Sequence, residues 1–78
     1  MEELILKTCG NDYFDLQLKL RINSKYGEED IFCIVVLQNK INDQKQSRIF
    51  DPRQFRDALS YYAQQEAMFI EPKKKGAT

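Results

Sequence analysis

A strict alternation of apolar and polar side chains over residues 13–23 is the strongest constraint on this fold. In YFDLQLKLRIN the apolar residues from Phe14 to Ile22 recur at every second position. The positions between them are polar or charged, and the aromatic Tyr13 precedes them. A period of two predicts a β-strand with one buried face and one face in water. Such a strand is typical of an antiparallel sheet.

Three further segments predict neighbouring strands. The stretch ELILKT, residues 3–8, comes first, and the turn-prone CGND joins it to the alternating strand as a hairpin. After SKYGEED, which is interpreted as a solvated turn, IFCIVVLQNKI begins apolar on both faces and indicates a central strand. The fourth strand is predicted in QKQSRIF, after Asn42 and Asp43.

The stretch FDPRQFRDALSYYAQQ, residues 50–65, predicts a helix with a firmly specified start. Asp51 suits the N-cap, Pro52 suits the first helical position, and Gln54 completes a capping box. Pro72 is expected to end the helix. Apolar residues at helical spacing form a stripe that should cover the sheet. The predicted stripe consists of Phe55, Ala58, Leu59, Tyr62, Ala63, Phe69 and Ile70.

These segments together predict an α+β fold in two layers. A four-stranded antiparallel meander is covered on one face by a single C-terminal helix, in the order ββββα. We expect residues 1–72 to form one small domain and residues 73–78 to form a flexible basic tail. Apolar residues make up 42% and charged residues 31% of the chain, a balance typical of a globular domain and not of a disordered segment.

The ends and the cysteines suggest where the protein works. The N-terminus is acidic where a signal peptide is basic, and its apolar run is too short to span a bilayer. We therefore expect a cytoplasmic protein that does not associate with membranes. Cys9 and Cys33 lie in or beside apolar strand segments, where a cysteine behaves as a small buried hydrophobe, so both are expected to be reduced.

The sequence offers little that points to catalysis. It contains no histidine, and two cysteines cannot assemble a zinc tetrad. Its three glycines form no phosphate-binding loop. The carboxylates of GEED do not have the spacing of a calcium loop. We predict no catalytic, cofactor-binding or metal-binding site, and a protein that is not an enzyme.

Apolar residues left over from the predicted core indicate a surface for a protein partner. If the third strand turns one face to the only helix, Phe32, Ile34 and Val36 lie on the other face with nothing to cover them. On the helix, Tyr61 and Met68 are seven residues apart and form a second apolar ridge in a polar frame. The first hypothesis is a non-catalytic protein-binding module, such as a small regulator or inhibitor of the kind encoded by phages and mobile elements. The candidates for covering the patch on the third strand are a second copy of the chain, a different protein, or the tail folding back through Phe69 and Ile70.

The alternative hypothesis is a small nucleic-acid-binding module. An aromatic side chain mixed with cations on an exposed sheet face can stack and clamp a single strand. A basic band at residues 40–56 surrounds the fourth strand and the helix start, and Lys73–Lys75 would add affinity for a polyanion. A formal net charge of zero counts against this alternative. Its residues are Tyr13, Lys19, Arg21, Lys40, Lys45, Arg48, Arg53 and Arg56.

The passage IFDPRQF, residues 49–55, resembles the junction between strand and helix in several small modules. These are the arm-binding domains of tyrosine integrases, some single-strand-binding folds, and small phage proteins such as the anti-CRISPR proteins. The resemblance is confined to this junction and implies no particular family. The nucleic-acid-binding modules among them would be expected to be more basic than this chain.

Overall fold

The computed structural model describes residues 2–25 and 27–70. Four antiparallel strands form one open sheet in the order β1-β2-β3-β4, and a helical segment follows. The strands are β1 (Glu2–Gly10), β2 (Phe14–Lys25), β3 (Glu28–Asn39) and β4 (Lys45–Phe50). A 3₁₀ turn (Pro52–Gln54) leads into helix α1 (Phe55–Gln65), and a π-helical turn (Glu66–Ile70) continues it. The predicted ββββα order is confirmed. The predicted helix end at Pro72 and the tail at 73–78 lie outside the described residues.

Strand β3 begins earlier than the sequence predicted. Residues 28–30, interpreted as a solvated turn, are part of β3 and pair with residues 23–25 of β2. Gly27 has a φ of 81°, a left-handed conformation that suits glycine in a tight turn. Because this turn is short, the acidic residues 28–30 can pair with β2 and extend the antiparallel ladder. Strand β4 pairs only with Cys33–Gln38, so the β2–β3 hairpin extends past it.

The helix start has the predicted capping box, in a tighter turn than expected. The carboxylate of Asp51 accepts a hydrogen bond from the backbone N–H of Arg53 at 2.9 Å. The side-chain oxygen of Gln54 accepts one from the backbone N–H of Asp51 at 3.2 Å. These bonds satisfy donors that a helix start leaves without partners. The first turn is a 3₁₀ turn, and the α-helix begins only at Phe55.

The core lies between the sheet and α1. Its buried residues are Leu16, Leu18, Cys33, Val35, Leu37, Phe50, Ala58 and Tyr62. Leu59, Phe69 and Ile70 pack against this cluster as predicted. Phe55 and Ala63 were predicted in the helix stripe but are exposed. A 3₁₀ turn has three residues per turn, so it rotates Phe55 away from the position that α-helical spacing would give. The buried stripe is also turned towards Tyr61, which leaves Ala63 in solvent.

The turn between β1 and β2 is tied to the far end of the helical segment by Asn11. Its side-chain oxygen accepts hydrogen bonds from the backbone N–H groups of Tyr13 and Phe14, both at 2.8 Å. Its amide nitrogen donates to the carbonyl of Phe69 at 3.0 Å and to that of Ile70 at 3.4 Å. The ring of Phe69 also lies 4.9 Å from the ring of Phe14. One side chain therefore closes the turn and holds the π-helical turn against the sheet.

Candidate partner-binding surface

The sheet has two unlike faces. We call the face beneath α1 the helix face and the opposite one the open face. Cys33, Val35 and Leu37 of β3 belong to the core on the helix face. Because side chains alternate along a strand, Phe32, Ile34 and Val36 lie on the open face, as predicted. No element of the described residues packs over the open face, since Phe69 and Ile70 both lie on the helix face.

Ile34 is buried although no element covers it. It is 3% exposed, whereas Phe32 on the same face is 38% exposed. The register places Ile34 between Lys19 of β2 and Ile49 of β4. The side chain of Lys19 is only 17% exposed, so its methylene stem lies along the sheet. Side chains of the same face therefore cover Ile34, which makes it the floor of the surface and not its outer contact.

Two apolar residues that the sequence analysis did not single out complete the open face. Ile49 of β4 is 61% exposed, and Ile5 of β1 is 53% exposed. The register aligns both with the row that contains Lys19 and Ile34. The signal for Ile49 was its position next to the buried Phe50, since neighbours in a strand point to opposite faces. Ile5 was harder to assign because β1 has an irregular register between Ile5 and Lys7.

The open face forms a shallow trough of about 210 Å³ over β2, β3 and β4. Ile34, Val36 and Ile49 supply its apolar part. Polar side chains such as Gln17, Gln38 and Ser47 share the lining. The apolar residues lie on β3 and β4, and the side chains from β2 are polar or charged. Surfaces that bind other proteins also combine apolar and polar groups.

An ion cluster borders the open face on the β1 side. Glu3 forms ion pairs with Lys19, at 3.1 Å from Nζ to Oε1, and with Arg21, at 2.8 Å from Nη2 to Oε2. The hydrogen bond from Arg21, and then the one from Lys19, hold the pKa of the Glu3 carboxyl below its usual value. Two cations of the nucleic-acid alternative thus share one carboxylate, which reduces the net charge of the three side chains to +1.

The structure does not bring the basic band at residues 40–56 together on one surface. Lys45 lines the open trough, whereas Arg48 lies on the helix face, where its guanidinium is 5.1 Å from the ring centre of Phe50. Adjacent strand positions point to opposite faces, which makes a single band impossible across β4. Lys40 pairs with Asp15 at 3.5 Å.

The remaining residues of that alternative lie at the margins of the fold. Arg53 pairs with Asp51 at 3.2 Å at the helix start, and Arg56 is exposed on α1. Tyr13 is 57% exposed in the turn before β2 and does not line the trough. The sheet-face trio of Tyr13, Lys19 and Arg21 is therefore not a continuous platform for stacking and clamping.

Tyr61 and Met68 were predicted to form an exposed ridge, but of the two only Met68 is exposed. Met68 is 64% exposed, but Tyr61 packs against the core. The ring of Tyr61 lies 5.8 Å from that of Phe50, and the guanidinium of Arg48 stacks 5.0 Å from its centre. The expectation that the core does not use Tyr61 was wrong, because β4 supplies partners that helix spacing alone does not reveal.

The thiol of Cys33 and the phenol of Tyr62 on the helix face are held in their neutral forms. Burial, followed by the hydrogen bond that the Tyr62 hydroxyl donates to Cys9 Sγ at 3.1 Å, raises the pKa of Tyr62. Burial also raises the pKa of the Cys33 thiol. A thiol reacts as its thiolate, so these shifts favour packing over nucleophilic chemistry at Cys33. Within the described residues, no group of three acidic, histidine or cysteine side chains is placed to hold a metal ion.

Comparisons of this chain with protein-family models, curated proteins and solved structures give no match. The geometry of the two faces is therefore the basis for a proposed function. No helix in the described part of the chain has the length and apolar character needed to cross a membrane.

Proposed function

We propose that this chain is a non-catalytic protein-binding module and that the open face is its docking surface. The observation that supports the proposal is a whole face of the sheet with apolar residues on β3 and β4 and no covering element in the described chain. Phe32, Val36 and Ile49 are the outer contacts, and Ile34 is the floor beneath them. The partner is a protein surface that presents an apolar ridge to this trough.

The size of the trough favours a protein surface over a small ligand. Its volume of about 210 Å³ is below the range of about 300–1,000 Å³ that is usual for small-molecule sites. It is shallow and broad, and its rim is polar, which are properties of protein interfaces. The narrower prediction of a regulator or inhibitor stays a prediction, since neither the fold nor the comparisons bear on it.

The nucleic-acid alternative has less support from the arrangement of its cations. Lys19, Arg21 and Lys40 are paired with carboxylates, and Arg48 lies on the helix face. Binding through phosphate contacts depends on cations that are available to the phosphates. The test of this alternative is whether the protein associates with oligonucleotides and whether that association weakens steeply as salt is added.

Affinity capture with matched variants tests the proposed function. Three immobilised forms are compared: the wild type, Ile49→Lys in the open face, and Gln64→Lys on the exposed side of α1. Both substitutions add one positive charge at an exposed position, so thermal unfolding should confirm that both variants fold. We expect Ile49→Lys alone to lose the partner, because its charge would be buried in an apolar contact. Capture of the same protein by all three forms would exclude the open face as the docking surface, and capture by none would contradict the binding function.

A further inference from the structure

The outer edge of β4 presents backbone groups that no strand of the described residues pairs with. At the β3–β4 turn the backbone N–H of Asn39 donates to the carbonyl of Gln44 at 2.8 Å, so these two residues are a hydrogen-bonded pair. Bonded and non-bonded pairs alternate along an antiparallel ladder, and the register between β3 and β4 is continuous. The residues whose N–H and C=O groups point out from the edge are therefore Lys45, Ser47 and Ile49.

A groove of about 330 Å³ lies beside this edge, and we call it the edge groove. Arg48, Ile49 and Phe50 all line it. Because successive residues of a strand point to opposite faces, a space that contacts all three lies at the edge of the strand. The opposite wall belongs to the helical segment and includes Gln54, Asp57, Ser60 and Tyr61.

The edge of β4 suits an added strand better than the other edge of the sheet does. The register of β1 shifts between Ile5 and Lys7, and an irregularity of this kind turns an edge away from a new partner. The register of β4 has no such shift. Ile49 is 61% exposed and offers an apolar side chain to a neighbouring strand.

We propose that β4 binds an extended segment of a partner protein, which joins the sheet as an additional antiparallel strand in the edge groove. This inference goes beyond the docking surface of the open face, because it uses the backbone of the edge. The outward N–H and C=O groups bond to the segment, and such main-chain bonds supply the affinity of strand addition. Antiparallel pairing is the more stable kind and is the arrangement of every strand pair in this sheet.

The two sides of the edge specify the side chains of the segment. In an antiparallel pair the residue opposite Ile49 lies on the open face, where an apolar side chain fits. The alternate residues enter the edge groove, where Arg48 and Asp57 carry opposite charges and the other polar side chains are uncharged. A carboxamide complements both charges, because its oxygen accepts from Arg48 and its nitrogen donates to Asp57. The segment therefore alternates apolar residues with glutamine or asparagine.

The charges of β4 disfavour a second copy of this chain as the occupant. The strand has the sequence KQSRIF, with two cations and no acid. Pairing β4 with β4 of another copy would bring like charges onto neighbouring strands, which is destabilising. A segment without net charge has no such cost.

Peptides methylated on backbone nitrogens test strand addition. The probe is a capped hexapeptide in which threonine or valine alternates with glutamine. In the proposed pairing the threonine and valine N–H groups donate to β4, whereas the glutamine N–H groups point away. We expect methylation of the threonine and valine nitrogens to weaken binding at least about tenfold in an NMR titration, and methylation of the glutamine nitrogens to leave it unchanged. Equal effects of the two methylation patterns, or no binding of the unmethylated probe at about 1 mM, would overturn the inference.

A proline on the edge tests the same bonds from the side of the protein. Ser47→Pro removes an outward N–H and no bond to β3, a position where an edge strand tolerates proline. We expect it to weaken the probe about fivefold or more, while the matched control Ser47→Ala binds like the wild type. Ser47→Pro should still capture a protein that docks on the open face, because Ile34, Val36 and Ile49 remain in place. Equal probe binding by all three forms would contradict strand addition and leave the open-face proposal standing.

Amide exchange gives a readout that needs no variant. The amides of Lys45, Ser47 and Ile49 should exchange rapidly in the free protein and slowly with the probe bound. The amides of Gln46 and Arg48 point towards β3 and should be slow in both states. Outward amides that are already protected in the free protein would show that another part of this chain or a second copy occupies the edge, and the inference would fail.

Discussion

Ile34 belongs to a face with no covering element, yet it is as buried as a core residue. Its cover comes from Lys19 and Ile49 on the neighbouring strands. We expect Ile34→Ala to lower the free energy of unfolding by about 2 kcal/mol or more, because it removes apolar atoms that are already out of water. Ile49→Ala, at a site 61% exposed, should cost less than about 1 kcal/mol. Urea denaturation of both variants at low concentration measures the difference, and equal costs would show that Ile34 is not buried in solution.

Glu3 makes the stability of the fold decrease at acidic pH. Arg21 and then Lys19 lower its folded pKa, so the unfolded chain, with a pKa of about 4.3, binds a proton more readily. The stability from this group is therefore present above the unfolded pKa and is lost as the pH falls through the folded pKa. Thermal unfolding between neutral pH and pH ~3 should show a smaller acid loss in Glu3→Gln than in the wild type. Glu2→Gln, at the adjacent exposed position, should keep the wild-type profile.

At the scale of elements, Asn11 joins the first turn to the end of the helical segment. Asn11→Ala removes the acceptor for two backbone N–H groups and the donor for two carbonyls. We expect a loss of about 1–3 kcal/mol, together with faster amide exchange in the π-helical turn. Asn42→Ala is the matched control, since its oxygen accepts one local bond from Gln44 at 3.0 Å. Unchanged exchange over residues 66–70 would mean that the ring of Phe69 alone holds this turn.

The elements themselves were largely predictable from the sequence. Alternation in β2 and the capping residues before α1 are local signals, and both predicted the right element in the right place. The predicted start of β3 was wrong because the tight turn at Gly27 depends on the left-handed backbone conformation of that residue. The open face was predicted for Phe32, Ile34 and Val36, but its composition was incomplete. Ile49, Ile5 and the Glu3 cluster depend on the cross-strand register, which no single segment specifies.

At the scale of the whole molecule, a single helix covers one face of the four-stranded sheet. The other face contacts either solvent or a second protein layer. Among the residues that the structure describes, eight are buried in one cluster on the helix face, whereas Ile34 alone is buried on the open face. A small domain buries a limited share of its surface, so covering the second face is a large gain relative to its own stability. A protein partner docked on the open face would supply that cover without adding any element to the chain.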